Sequence, residues 1–139
     1  MKKTEIFFPF EPKPKGRPKF TSRGHAYTPK TTLEYETKIK EFYKSQTSDF
    51  YNTAIKVRLV FNMAIPKSTS KKKRNLMITG IIKCTVHNGD ADNLAKAVLD
   101  ALNGVAYEDD CLITKLTIIK KYSSDENVGT ELEICEDVE

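Results

Sequence analysis

Acidic residues flank one predicted helix in the second half of the chain. Asp90 and Asp92 stand at the start of a stretch with helical periodicity, and Asp109 and Asp110 follow shortly after its end. Carboxylate oxygens are the ligands that Mg²⁺ and Mn²⁺ prefer, and such a cation activates water and stabilises charge on a phosphate. The spacing therefore favours a divalent-metal site suited to phosphodiester cleavage.

The helix between these acids has the clearest pattern in the sequence. We predict that it runs from Asp92 to about Asn103, with Asp92 capping its start and Gly104 ending it. Its apolar face consists of five side chains at helical spacing: Leu94, Ala97, Val98, Ala101 and Leu102. A helix of this kind presents its opposite, polar side to solvent or to a ligand.

Lys96 lies on that polar side together with Asp92 and Asp100, because residues four apart share a helical face. From there its ammonium can contact a phosphate as a fixed positive charge or assist proton transfer. Each residue also has an ordinary structural interpretation. Asp92 can be only an N-cap, Lys96 and Asp100 only a surface ion pair, and residues 108–110 only a solvated turn.

Charge is distributed unevenly along the chain. Residues 1–30 hold eight Lys or Arg against two acids, residues 66–83 hold six with no acid, and residues 122–139 hold seven acids and no Lys or Arg. Two basic segments favour contact with nucleic acid. We predict DNA-binding side chains on both of them, at Lys13, Lys15, Arg17, Lys19, Arg23, Lys71, Lys72, Lys73 and Arg74. The alternative for the second segment is a solvated loop.

The remaining patterns predict a single α+β domain over residues 1–139, with a mixed β-sheet and helices packed on it. Alternating or continuous apolar residues predict strands at 6–10, 54–65 and 81–87, and a closing hairpin of strands at 112–122 and 131–135. Two further helices are expected, from residue 31 or 32 to about 48, and over 68–77. Prolines 12, 14 and 18 keep a basic arm at about 11–30 extended, with a loop or hairpin in its second half.

Composition also excludes some classes of protein. No stretch approaches the roughly 18 consecutive apolar residues of a membrane span. Three scattered cysteines argue against a disulfide framework and favour a reducing compartment, so we expect a cytoplasmic protein. No Gly-rich phosphate loop is present in the sequence, which argues against a nucleotide cofactor.

The string from Asp90 to Gly104, followed by Asp109-Asp110, resembles the signature of the RusA family of Holliday junction resolvases. That signature reads Asp-x-Asp-Asn-Leu-x-Lys, then Asp-Ala-Leu, then Asp-Asp. The segments 15–18 (Lys-Gly-Arg-Pro) and 27–29 (Tyr-Thr-Pro) resemble the family's basic opening segment. The resemblance covers about residues 5–122, and its central motif is long and spaced.

The resemblance implies a homodimeric α+β endonuclease, common in prophages, that depends on Mg²⁺ or Mn²⁺ and cuts four-way DNA junctions symmetrically during recombination and repair. By motif position, the essential acids are Asp90, Asp92 and Asp110, the essential lysine is Lys96, and Asp109 is a candidate for a further ligand. Residues 87–89 and 112 depart from the family pattern. Because these departures include neither the acids nor the lysine, they concern the docking of the substrate more than the cleavage chemistry. A DNA-binding protein whose acids no longer cleave, or a flap or other branched-DNA nuclease, are the alternatives.

Overall fold

The computed structural model describes residues 2–16, 19–27, 29–85 and 89–138, and for Lys19 the backbone alone. Strands and helices of the described residues follow one another in the order β1 (Lys3–Phe8), β2 (Lys19–Phe20), β3 (Ala26–Tyr27), α1 (Lys30–Gln46), β4 (Ile55–Met63), α2 (Lys71–Ile78), α3 (Ala91–Leu102), β5 (Ile113–Tyr122) and β6 (Gly129–Glu136). Single 3₁₀ turns at Asp110–Leu112 and Asp125–Asn127 precede β5 and β6. The α+β class is confirmed.

Four of the strands form a mixed sheet in the order β1-β6-β4-β5. β4 pairs with β5 in parallel and with β6 antiparallel, and β1 closes the other edge antiparallel to β6. The predicted closing hairpin is wrong, since β5 and β6 lie on opposite sides of β4. The reason is the burial of β4, which is complete from Leu59 to Met63. A buried strand needs hydrogen-bond partners along both edges, and the two later strands supply them.

Helices α1 and α3 pack against each other and against one face of this sheet. All five apolar residues predicted for α3 are buried, as the helical periodicity indicated. The core that they join includes large side chains from both layers: Phe8, Ile39, Tyr43, Leu59, Phe61 and Ile134. α3 therefore has one face fixed against the sheet and the other left polar.

The basic arm contains a short hairpin, as expected, in which β2 pairs antiparallel with β3. The backbone N–H of Gly24 donates to the carbonyl of Thr21 within its turn. Helix α2 forms in the second basic segment and is capped by Ser70, whose hydroxyl accepts from the N–H of Lys73. The second basic segment is therefore a helix rather than a solvated loop.

The strand predicted at 81–87 is wrong for residues 81–85, and residues 86–88 lie outside the described part of the chain. Gly80, with a φ of 84°, ends α2 and turns the chain back. The N–H of Ile82 then donates to the carbonyl of Leu76 in the helix at 3.0 Å. The backbone of this segment is thus tied to α2 instead of extending along the sheet.

In the described residues, no helix has the combination of length and apolar character that crossing a bilayer requires.

Candidate active site

The first carboxylates of the site lie at the start of α3. Asp90 occupies the N-cap position, two residues earlier than predicted, and Asp92 lies in the first turn. The side chain of Asp90 makes no capping hydrogen bond, and both residues are exposed. The interpretation of Asp92 as the N-cap is therefore wrong, and the exposed carboxylates extend from the helix start along its polar side.

The segment that leads into α3 is held by β5. Lys120 donates from its ammonium to the carbonyl of Gly89 at 3.1 Å. Gly89 is buried with a φ of 144°, and a Cβ at this position would lie 3.0 Å from Cδ2 of Leu94. Lys120 thus fixes the residue immediately before Asp90 to the sheet. No pattern in the sequence distinguished Lys120 from the other lysines of its strand.

The second pair of carboxylates follows Tyr107, which anchors the connection between α3 and β5. The Tyr107 side chain is fully buried, and its hydroxyl donates to the carbonyl of Leu99 in α3. Burial raises the pKa of Tyr107, so its hydroxyl remains protonated and continues to donate. The chain therefore reaches Asp109 and Asp110 from a residue that is fixed against α3.

The backbone of the same connection is bound on both sides of Tyr107 by a residue that precedes β4. The N–H of Tyr51 donates to the carbonyl of Ala106, and the carbonyl of Tyr51 accepts from the N–H of Glu108, both at 2.9 Å. The N–H of Gly104 donates to the carbonyl of Tyr107 at 2.8 Å. The two bonds of Tyr51 join residues more than fifty positions apart in the sequence, so no local pattern indicated a role for Tyr51.

Asp109 and Asp110 are neighbouring exposed carboxyl groups that perturb each other's ionisation. The carboxyl of Asp109 is the largest cause of a raised pKa at Asp110; desolvation and the charge of Asp100 act in the same direction, and Lys96 opposes them. The interaction with Asp110 lowers the pKa of Asp109. Asp110 is therefore within electrostatic range of Asp100 and Lys96 on the polar side of α3.

Lys96 and Asp100 form the expected i,i+4 ion pair, with 3.3 Å between Nζ and Oδ2. The Lys96 side chain remains 60% exposed, whereas that of Asp100 is 27% exposed. Asp100 also accepts from the ammonium of Lys15 at 3.2 Å. The polar side of α3 therefore combines an exposed ammonium with carboxylates on its own turns and on the segment before β5.

The carboxylates of the site are the type of ligand that a divalent cation prefers. Asp90, Asp92, Asp109 and Asp110 are all exposed carboxylates, and the raised pKa of Asp110 reports negative charge that a cation would compensate. Within residues 2–16, 19–27, 29–85 and 89–138, no three acidic, histidine or cysteine side chains stand close enough together to hold a metal ion. Asp90 and Asp92, at the start of α3, are therefore not close enough to Asp109 and Asp110 to form a closed set of metal ligands with them.

The predicted DNA-binding residues have several environments. Lys71, Lys72 and Lys73 are exposed on the first turn of α2, and Lys13 and Arg23 are exposed on the arm. Arg74 is less exposed and lies 3.9 Å from Asp125, and Lys15 is occupied by acidic partners within the fold. Arg17 and the side chain of Lys19 lie outside the described part of the structure. The exposed lysines of α2 are thus the clearest candidates for contact with DNA.

A family model described as endodeoxyribonuclease RusA matches residues 9–135. This chain belongs to the RusA family. It is therefore a nuclease of the Holliday junction resolvase class, and the matched range contains the whole carboxylate site. The uncharacterized protein YqaN of Bacillus subtilis (strain 168) is 30% identical over 124 residues, which cover 85% of this chain and 87% of that protein.

Replacement of Lys120 by Met should slow DNA cleavage at saturating protein by about tenfold, the lower end of the range for residues that orient a ligand. The variant lacks the hydrogen bond that holds Gly89, so Asp90 loses its fixed starting point. Single-turnover cleavage of a labelled four-way junction measures this effect. Lys121→Met is the matched control, because Lys121 is the exposed next residue on the other face of β5. Equal rates for both variants would exclude a positioning role for Lys120.

Proposed function

We propose that this protein is a divalent-metal-dependent endonuclease that resolves four-way DNA junctions by paired, symmetric incisions in recombination or repair. The observation that carries the proposal is the hydrogen bond from the hydroxyl of Tyr107 to the carbonyl of Leu99, which holds the segment leading to Asp109 and Asp110 against α3. This interaction joins the two halves of the family motif in one polar region. The presence of all four acids and of Lys96 in this region favours a cleaving enzyme over a binding protein whose acids have lost their function.

In the proposed reaction, Asp90, Asp92 and Asp110 hold Mg²⁺ or Mn²⁺, with Asp109 as a candidate for a further ligand. What the cation supplies when bound is a lower pKa for coordinated water and stabilisation of charge on the phosphate oxygens. Lys96 contacts the scissile phosphate and stabilises the negative charge that develops during attack. Its exposure supports this role, because a DNA backbone can approach the ammonium without displacing the fold.

The lysines of α2 provide the DNA-binding surface in this proposal. Lys71, Lys72 and Lys73 occupy the first turn of a helix that has no acid there. The helix dipole places partial positive charge at this end, so three cations in this turn reduce the stability of the isolated helix. The same arrangement attracts phosphates, because the dipole and the ammonium groups act together.

The form that acts on a junction is proposed to be a homodimer in the cytoplasm. An open four-way junction is nearly two-fold symmetric, and its resolution requires nicks in two opposing strands. One chain offers one set of carboxylates, whereas an isologous dimer presents two sets related by the symmetry axis of the junction. A dimer also unites the basic surfaces of two chains.

Replacing Asp90, Asp92 or Asp110 by Asn should abolish junction cleavage in Mg²⁺ or Mn²⁺ while junction binding stays intact or tightens. Each change removes a metal ligand and also removes negative charge that repels phosphate. Cleavage and gel-shift measurements on a synthetic four-way junction test this, with Glu41→Gln on the exposed side of α1 as the charge-matched control. Cleavage within a few-fold of the unmodified protein in all three variants would exclude the metal site.

The same assay separates the alternative functions. A protein that binds the junction without cutting it in either metal is a branched-DNA-binding protein. One that prefers a flap substrate over the four-way junction is a different structure-specific nuclease. Chelation of the metal with EDTA should stop cleavage, and cleavage that persists in EDTA would contradict metal dependence.

Neutralising Lys71, Lys72 and Lys73 together should weaken junction binding and flatten its salt dependence. Each phosphate contact that is lost reduces the slope of log affinity against log salt by about 0.9 on duplex DNA. Binding titrations at several salt concentrations measure the slope. An unchanged affinity with an unchanged slope would mean that these lysines are only a solvated helical face.

The dimer should convert a supercoil-extruded cruciform plasmid directly to linear product, because both incisions occur within one bound complex. Sedimentation velocity on the protein alone should give twice the chain mass of 15.8 kDa. A protein that sediments as one chain, binds the junction as one chain and releases only nicked circles would contradict the homodimer.

A further inference from the structure

Lys15 lies in the basic arm, but its ammonium is directed into the fold. Nζ is 2.6 Å from Oε2 of Glu36 on α1 and 3.2 Å from Oδ2 of Asp100 on α3. Only 22% of the Lys15 side chain is exposed, and its two partners are similarly shielded. Burial lowers the pKa of Lys15, but the hydrogen bonds to both carboxylates raise it by more, so the ammonium stays charged.

The backbone around Lys15 is fixed as firmly as its side chain. The N–H of Lys15 donates to the carbonyl of Asn93 in α3 at 3.0 Å. The N–H of Gly16 donates to the hydroxyl of Thr32 in α1 at 3.1 Å, and a Cβ on Gly16 would lie 2.4 Å from that hydroxyl oxygen. The backbone of the arm is therefore fixed to both helices, and turning the Lys15 side chain outward would break its ion pairs with Glu36 and Asp100.

One carboxylate oxygen consequently has two ammonium partners. Oδ2 of Asp100 lies 3.2 Å from Nζ of Lys15 and 3.3 Å from Nζ of Lys96. Lys15 is held from a second side by Glu36, whereas Lys96 has most of its side chain in solvent. A carboxylate whose charge is shared in this way binds each cation less tightly than it would bind one alone.

We propose that Lys15 is a positioning residue for the cleavage reaction: it fixes the Asp100 carboxylate and shares its charge, so that Lys96 is oriented by Asp100 but remains available to the phosphate. This inference rests on the proposed function of Lys96. Without Lys15, Asp100 pairs with Lys96 alone, and the resulting tighter ion pair withholds the ammonium from DNA. Lys15 then acts through Asp100 and not through contact with DNA.

Lys15 could act either as a positioning residue or as a phosphate contact, and the two roles predict different kinetics for the Lys15→Met variant. A positioning residue lowers the single-turnover cleavage rate at saturating protein, by about tenfold as for other residues that orient a ligand, and leaves the junction Kd and its salt slope within about twofold. A phosphate contact instead weakens binding and reduces the slope by about 0.9, with the saturated rate unchanged. The second pattern would overturn the proposal.

The partner residue gives a further discriminating test. Lys15→Met combined with Asp100→Asn should cleave as fast as Asp100→Asn alone, because the carboxylate that captures Lys96 is then absent. Two residues with independent effects would instead show additive losses, and additive losses would also overturn the proposal. Lys44→Met on α1 is the control for the loss of one charge, since Lys44 is exposed and makes no ion pair within the described residues.

Stability is monitored by thermal unfolding of every variant. If Lys15→Met fails to fold, Lys15→Arg and Glu36→Gln decide the question. Arg retains the charge and should restore most of the rate, whereas Glu36→Gln removes the second anchor of Lys15 and should lower the rate with little change in junction Kd. A rate in Glu36→Gln equal to that of the unmodified protein would contradict the proposed anchoring.

A measurement without DNA separates this proposal from the proposed function. The rate at which a water-soluble amine-acylating reagent modifies Lys96, followed by mass spectrometry of the peptides, reports how tightly its ammonium is paired. Lys15→Met should slow acylation of Lys96 several-fold and leave that of Lys44 unchanged. If the unmodified protein cleaves no branched DNA, the proposed function fails, and this rate still tests the coupling. Equal Lys96 acylation in both proteins would refute it.

Discussion

Burial of Tyr107 is the constraint on which the geometry of the carboxylate site depends. The connection between α3 and β5 covers residues 103–112, and its buried backbone must satisfy its hydrogen bonds inside the protein. The backbone of Tyr51 hydrogen-bonds to the residues on either side of Tyr107, and the hydroxyl of Tyr107 donates to the carbonyl of Leu99. The start of β5 is thereby fixed to the helix that precedes it. Asp109 and Asp110 can be exposed and still have a defined position, because Tyr107, two residues before Asp109, is held in the core.

The site concentrates like charges on α3 and on the segment before β5. Asp109 and Asp110 are adjacent in the chain and perturb each other's pKa, and Asp100 adds a third carboxylate within electrostatic range. Such an arrangement is unfavourable in the absence of a cation, since neighbouring carboxylates disfavour each other's ionised form. Clusters of like charge are expected at functional sites, and the apolar core of the protein supplies the compensating stability.

The sequence was sufficient for elements whose pattern is local. The apolar face of α3 has helical period and is buried as predicted, whereas the role of the acids near its ends stays a prediction from residue type and spacing. Strand pairing was predicted less well, because the partners of β4 are chosen by its burial and not by the short connection between β5 and β6. The error at 81–85 has a similar origin, since the apolar residues there are tied to α2 through Ile82. Tyr107 was missed because an aromatic residue in a polar connection has no periodicity that reports its burial.

Charge counts in the basic segments identify a polyanion-binding protein but do not assign roles to individual lysines. Lys15 and Lys71 contribute equally to the net charge, yet one is bonded to two carboxylates between helices and the other is exposed on α2. This division follows from the chemistry that the site must perform. A cluster of carboxylates repels the phosphate on which it acts, so some cations must lie within the protein to balance the acids while others face the DNA. Lys96 belongs to both sets, because it pairs with Asp100 and remains largely exposed. Of the two lysines paired with Asp100, Lys96 is the more exposed, and the proposed reaction places it where a phosphate can compete with Asp100 for its ammonium.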